Sequence, residues 1–310
     1  MPDVFSPTAL ADARILVTGG GSGLGRAIAQ RLAAHGAEVH VWGRRPGVLE
    51  ETVAAVEAAG GRAFAQAVDV RDPAAVDAGM AHLFDTCGPL TGVVNGAAAN
   101  FVARTEHLSP RAFEAVTSTV MNGSYFVTTA AGRRWIAQGL PGSVVSLLTS
   151  WIWTGSAFTV PSAMAKAAVH AMTMSLAVEW AAHGIRINAV APGPVPTEFA
   201  WDVLDPGEAG GNRVPVATEA DGVPAGRHGT AEEVADVVLF LLSGAAPYLT
   251  GDAIAVDGGQ RLAGPGTFAG LRALSPDDWT ALRERARRAG QARDAASAAS
   301  RNAATERGSA

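Results

Sequence analysis

From Arg14 to Asp257, short apolar runs alternate with longer stretches in which apolar residues return every three or four positions. The runs Ile15–Thr18, Glu38–Trp42, Ala63–Val68, Gly92–Asn95, Ser143–Leu148, Arg186–Val190 and Ala253–Val256 are rich in Val and Ile. Runs that do not alternate apolar with polar are covered on both faces, which predicts parallel strands inside a sheet. Between them, Leu24–His35, Pro46–Ala59, Pro73–Thr86, Pro110–Gln138, Ser162–His183 and Ala231–Ser243 carry the helical period. Strand and helix in regular alternation predict an α/β fold, a doubly wound parallel sheet with helices on both faces. The rhythm predicts one domain over residues 1–262 and an extension over 263–310.

Two segments break the rhythm. Asp205–Gly229 is rich in Gly and Pro without periodicity and predicts a long surface loop of the lid or binding type. Beyond Trp279 the chain turns Arg- and Ala-rich, and Ala295–Ala310 reads as a frayed polar tail.

With 310 residues, 48% of them hydrophobic, the chain can bury a substantial core, and disorder throughout is excluded. A net charge of −5 gives no footprint for nucleic acid. No apolar run has the ~18 residues of a membrane-spanning helix, and no basic-then-apolar leader opens the sequence, so the expected address is cytoplasmic. Cys87, the single cysteine, excludes an internal disulfide framework and reads as inert. The histidines, His40, His82, His107, His170, His183 and His228 among them, lack metal-ligand spacing, and no metal is expected. Of the 24 basic residues only Lys166 is lysine. Where arginine has replaced every other lysine, the survivor marks a place where a compact ammonium of adjustable pKa does what a guanidinium cannot.

The first predicted strand runs directly into Thr18-Gly19-Gly20-Gly21-Ser22-Gly23-Leu24-Gly25 and then a helix. Glycines allow a sharp turn and close approach of a pyrophosphate, whose charge meets the free N–H groups of the helix N-terminus. Gly19, Gly21, Ser22, Gly23, Leu24 and Gly25 are therefore the expected dinucleotide cradle of a Rossmann-type fold. The second strand ends at Arg44-Arg45, where a carboxylate would select NAD. Arginines there suit a 2′-phosphate, so NADP(H) is the expected cofactor. Asp69, with Val70, lies where it can accept from the adenine amino group, and Asn95-Gly96-Ala97 supplies small residues where the cofactor crosses the sheet.

In order and spacing, the Thr18–Gly25 loop, Asp69-Val70, Asn95-Gly96-Ala97, Asn122, Lys166 and Pro192-Gly193-Pro194-Val195 resemble the short-chain dehydrogenase/reductase superfamily. That resemblance adds Pro192, Gly193 and Val195 to the cofactor site and Asn122 and Lys166 to the catalytic set, and implies a homo-oligomer, a tetramer joined through the long helices. Members usually carry a tyrosine four residues before the lysine; here the position is Ser162. A serine there, within Gly155–Ala163, is similar to the 2,4-dienoyl-CoA reductase branch, as are Asn100-Phe101, Glu179-Trp180, Leu204-Asp205-Pro206 and Gly266–Trp279.

The branch implies hydride transfer from NADPH to a conjugated thioester. Lys166 would hold the nicotinamide ribose, Ser162 and Thr149 would relay protons, and Asn100 would donate to the thioester oxygen. The branch's own active-site tyrosine falls on Trp151, whose indole N–H donates a hydrogen bond but releases no proton at physiological pH. Tyr125 and Tyr248 offer no replacement. Val203 stands where a basic residue would meet CoA phosphates. A small-molecule substrate is thus expected, bordered by Phe101, Trp151, Trp153, Phe158 and Trp201. The readings left open are a conjugated enoyl or dienoyl thioester, a carbonyl or other non-CoA substrate, non-redox chemistry, and a cofactor-binding pseudoenzyme.

Overall fold

Strand β1 (Arg14–Thr18) shows why the chain folds as a buried sheet: Ile15 and Val17 face one side, Leu16 the other, and all three are buried. The computed structural model describes residues 3–100, 102–197, 208–209, 212–213, 222–264, 275, 277–278 and 280. β2 (Glu38–Gly43), β3 (Arg62–Ala67), β4 (Gly92–Asn95), β5 (Gly142–Leu147) and β6 (Ile185–Pro192) follow in chain order. A small antiparallel ribbon, β7 (Glu208–Ala209) with β8 (Asn212–Arg213), precedes β9 (Ala253–Val256). Seven strands form one parallel sheet in the order β3-β2-β1-β4-β5-β6-β9. The predicted strands all form, shifted by a residue or two at their ends.

Helices cover both faces: α1 (Gly23–Ala34), α2 (Pro46–Ala58), α3 (Pro73–Thr86), α4 (Pro110–Thr117), α5 (Gly123–Gln138), α6 (Trp151–Thr154), α7 (Val160–Trp180), α8 (Ala231–Leu242) and α9 (Gln260–Ala263). One core lies between the sheet and α1 and α8, where Ile15, Val17, Val41 and Val145 meet Ile28, Leu32, Val238 and Leu239. The other lies beneath α3 and α5, where Leu16, Trp42, Val93 and Ile187 meet Met80, Leu83 and Trp135. Trp135 donates its indole N–H to the carbonyl of Leu90 at 2.7 Å and lies flat against Gly142, where a Cβ would come within 2.5 Å of the ring.

The structure departs from the sequence reading at three points. The helix expected over Pro110–Gln138 is broken by a π-turn at Ser118–Asn122. Its cause is a run of hydroxyls: Thr117, Ser118 and Thr119 donate to the carbonyls of Phe113, Glu114 and Ala115, in competition with the regular helical bonds. Second, α6 follows β5 without a periodic signal, being four residues long. Third, the segment expected as a loop over Asp205–Gly229 contains the β7–β8 ribbon; Val203, Leu204 and most of the rest lie outside the described residues.

Contacts divide the chain into Met1–Ala263 and Gly264–Ala310. In the second unit the Asp278 carboxylate accepts from the N–H and hydroxyl of Ser275; the tail Ala295–Ala310 lies outside the described residues. Among the described residues no helix is long and apolar enough to cross a membrane.

Candidate active site

The strand order reverses between β1 and β4, because β1 leads outward to β2 and β3 while β4 begins the other half. In such sheets the crevice beyond the carboxyl ends at the reversal is where ligands bind. A cleft of about 490 Å³ opens there. Gly19, Gly21, Ser22, Gly23, Leu24 and Gly25 form its floor, with Arg44, Arg45, Asp69 and Val70 at one end and Gly96, Ala97 and Asn100 at the other.

The floor depends on missing side chains. Gly19 has φ +70°, and a Cβ on it would approach the carbonyl oxygen of Gly96 to 2.8 Å; one on Gly25 would collide with the backbone of Gly19. The Thr18 hydroxyl ties the two sides together, accepting from the N–H groups of Gly96 and Ala97 at 3.1 and 3.2 Å. Asp72, Ser109 and Thr230 cap α3, α4 and α8 with side-chain acceptors, but Ser22 gives α1 no such cap. The first N–H groups of α1 thus face the cleft with their dipole and suit a pyrophosphate. A nicotinamide dinucleotide fits this cradle.

At the far end Asp69 is held by Arg71, whose Nε lies 3.0 Å from each carboxylate oxygen and whose backbone N–H donates at 3.0 Å. These bonds, with the charge of Arg44 nearby, hold the Asp69 carboxyl below its ordinary range. Arg44 and Arg45 are exposed at the mouth. Asn95 is not in the cleft wall but buried behind it, donating to Thr128 and Ser146 at 2.8 and 3.2 Å. Gly193 packs its backbone on Asp257, with its N–H donated to Val256 at 2.9 Å, while Val195 is buried. Pro192 ends β6 beside Val256. Thr119, on the π-turn, and Thr197 line the cleft although neither stands in a recognisable motif.

The catalytic candidates stand just beyond the next strand, β5, and on α7. Beyond β5, the Thr149 hydroxyl accepts the N–H of Trp151 at 3.1 Å and starts α6. Ser162 and Lys166 lie one turn apart on α7, both buried. The Lys166 ammonium donates a short hydrogen bond to the carbonyl of Leu147. Burial pushes its pKa down to about 8, so it remains mostly charged at neutral pH. Ala165 of the same helix packs on Val120 of the π-turn and against Ala99. The neighbouring Asn122 is half-buried at the end of that turn.

Trp151 is half-buried, whereas Trp153 and Phe158 are exposed. Trp153 meets His170 edge-on at 6.4 Å and carries the Arg261 guanidinium over its ring at 4.5 Å, which gives His170 its structural role. Phe158 has φ +62°, a strained conformation for a bulky residue, and its carbonyl accepts from the N–H of Ala103 at 2.9 Å. Phe101 and Trp201 lie outside the described residues.

An α/β sheet with this cradle at its switch point defines a dinucleotide-binding oxidoreductase. A family model described as enoyl-(acyl carrier protein) reductase matches residues 19–261. An uncharacterised oxidoreductase of Caenorhabditis elegans is 43% identical over 258 residues, covering 79% of this chain and 78% of its own. A Bacillus subtilis protein named "Probable 2,4-dienoyl-CoA reductase" is 39% identical over 249 residues, 80% of this chain and 96% of its own. The crystal structure of a gluconate 5-dehydrogenase from Burkholderia cenocepacia, in complex with NADP and tartrate, superposes with a TM-score of 0.74 at 27% identity, covering 82% of this chain and 97% of that one. The chain belongs to the short-chain dehydrogenase/reductase family and stands nearest its 2,4-dienoyl-CoA reductase branch.

Proposed function

We propose that the protein is an NADPH-dependent reductase of a conjugated enoyl or dienoyl thioester, working without a tyrosine acid. The observation that carries this reading is the buried Lys166 of α7, whose ammonium reaches the Leu147 carbonyl at the end of β5, beside a dinucleotide cleft whose outer end holds Arg44 and Arg45. The bound cofactor supplies hydride. Gly19–Gly25 and the open N-terminus of α1 hold its pyrophosphate, Arg44 and Arg45 its 2′-phosphate, and Asp69 its adenine. Lys166 fixes the ribose and keeps positive charge beside the reacting centre. Asn100 and the Trp151 indole N–H donate to the carbonyl oxygen on which negative charge develops. Trp151 has no proton to give, so Ser162, Thr149 and Lys166 order the water that protonates the product. Trp151 also favours a second reading, a family member acting on a non-CoA substrate.

Following the near-ultraviolet absorbance of NADPH with a short trans-2,trans-4-dienoyl-CoA tests the first reading. Cofactor consumption matched by enoyl product is expected. A flat trace from protein that binds NADPH rejects the dienoyl thioester and leaves the second reading. Cofactor choice has its own test. Arg44→Glu is expected to weaken NADPH binding by roughly 10- to 100-fold, the worth of a charged hydrogen bond, while NADH binding holds or improves. Titration of each nucleotide by fluorescence reads both, and an unchanged NADPH affinity would remove Arg44 from the phosphate site.

A homotetramer is the proposed assembly. Met164, Ala167, Ala171, Met174 and Val178 form an exposed apolar stripe along α7, and Met121 and Tyr125 are exposed as well. Met121 lies on the π-turn and Tyr125 within α5, and such a stripe on a helix calls for a partner surface. Sedimentation equilibrium reads the assembly directly.

A further inference from the structure

At the amino end of β2, away from the cleft at the carboxyl ends of the strands, three side chains of different chemistry converge. Glu38 and His40 are two apart on β2, so strand geometry puts them on the face that also carries Trp42. Cys87 follows α3, which packs over that face. The His40 Nε2, a Glu38 carboxylate oxygen and the Cys87 Sγ all lie within 4.8 Å of one another, with Nε2 and Oε1 3.1 Å apart. We propose that Glu38, His40 and Cys87 form a binding site for a divalent cation of the zinc class, three protein ligands with the fourth position open to water.

The donor set selects the ion. Imidazole nitrogen, thiolate sulfur and carboxylate oxygen suit zinc or cobalt, whereas magnesium and calcium require oxygen ligands. The site is built rather than scattered on a surface. The His40 side chain is 3% exposed and that of Glu38 12%, and the imidazole is fixed by stacking on Phe64 at 5.3 Å. Cys87 is half-buried, which leaves a side from which the ion and its water can enter. As the C-cap of α3, Cys87 also lies at the end of the helix dipole that favours a cation.

A cation already stands near this place. The Arg14 Nε is 3.6 Å from Glu38 Oε1, and Arg62 pairs with the other carboxylate oxygen. Both guanidinium groups are accessible to solvent, with side chains 39% and 70% exposed. Because both guanidinium groups can return to solvent, an ion that takes over Glu38 competes with them for the same carboxylate. Binding balances as the metal replacing the thiol proton of Cys87, which passes to buffer, while the neutral imidazole, whose Nε2–H donates to Glu38 in the metal-free protein, shifts that one proton to Nδ1 and frees Nε2 for the ion. Neither electrons nor a further reactant are needed.

Untagged protein titrated with cobalt(II) is expected to develop the near-ultraviolet band of a thiolate–cobalt bond, which zinc then abolishes by displacement. Because Cys87 is the sole cysteine, the band reports on this site alone. Cys87→Ser should remove the band, and His40→Gln should weaken binding at least tenfold. Arg14→Ala should tighten it, by roughly fivefold, since it removes a competing cation. That last sign separates a site from loose surface binding and does not depend on the folding of a ligand variant. No thiolate band in the wild-type protein, or an Arg14→Ala variant that binds more weakly, would overturn the proposal.

Discussion

Lys166→Met is expected to lower turnover by about 10²- to 10⁴-fold, the range for loss of a group that positions a proton relay and a developing charge. Methionine keeps the length and apolar stem but removes the ammonium, so the buried slot beneath α7 stays filled. The fold should not suffer. The folded pKa of about 8 lies below the ordinary lysine value of 10.5, so the charged form is the one that folding disfavours. That cost is full below pH 8, fades between pH 8 and 10.5, and is absent above, so the contribution of this group to stability rises with pH across that window. Replacing it by an uncharged side chain should leave the melting temperature unchanged or raise it at neutral pH. Activity has the opposite trend and should fall as pH rises through about 8, where the ammonium loses its proton. Steady-state kinetics across that range, beside thermal melts of both proteins, check both signs. Full activity in Lys166→Met would remove the lysine from the mechanism.

The largest structural effect is expected at Trp135. Trp135→Ala should cost about 3–5 kcal/mol, because the indole is fully buried and the space it leaves cannot collapse. Loss of its N–H also leaves the Leu90 carbonyl without that donor. Against a typical total of ~5–15 kcal/mol this is a large fraction, and the melting temperature should drop by on the order of 10 °C. The packing account makes a sharper claim through Gly142. Gly142→Ala alone should destabilise, since its Cβ would lie 2.5 Å from the Trp135 ring. In a Trp135→Ala background the same change should cost little, because the obstructing ring is gone. Denaturant melts of the two single variants and the double variant give the coupling, and additive effects would contradict the contact.

Most of the sheet was legible because parallel strands covered on both faces leave an unmistakable trace. Val39 and Val41 need the same apolar character as Glu38 and His40 lack, yet the run as a whole still reads as strand. The cradle was legible for a related reason: Gly19 and Gly25 stand where backbone approaches backbone, and only one residue type satisfies that. The π-turn was not legible from period, since helical spacing continues on both sides of it. Its signal was chemical, the three successive hydroxyl residues from Thr117 to Thr119. Thr119 and Thr197 carry no sequence signal because their place in the cleft is set by tertiary packing. Phe158 defeats sequence reasoning altogether: a bulky residue holds a conformation that glycine would adopt freely, and composition carries no trace of it. The juxtaposition of Cys87 with Glu38 and His40 was equally hidden, because histidine spacing along the chain says nothing about what α3 brings across the sheet.

The π-turn has a consequence for how the molecule is phased. An α-helix advances ~100° per residue, so one residue too many in a turn rotates everything beyond it by that angle relative to an unbroken rod. Upstream, α4 lies against α7; downstream, α5 lies against α3 and, where Gly132 meets the ring of Trp180, against α7 as well. In a single regular helix from Pro110 to Gln138 the α5 half would be rotated relative to α4, and its faces toward α3 and α7 would turn with it. The wide turn therefore works as a gear offset of one tooth. It lets one continuous length of chain mesh with the helix that bears Lys166 through α4 and, differently rotated, with α3 and that same helix through α5.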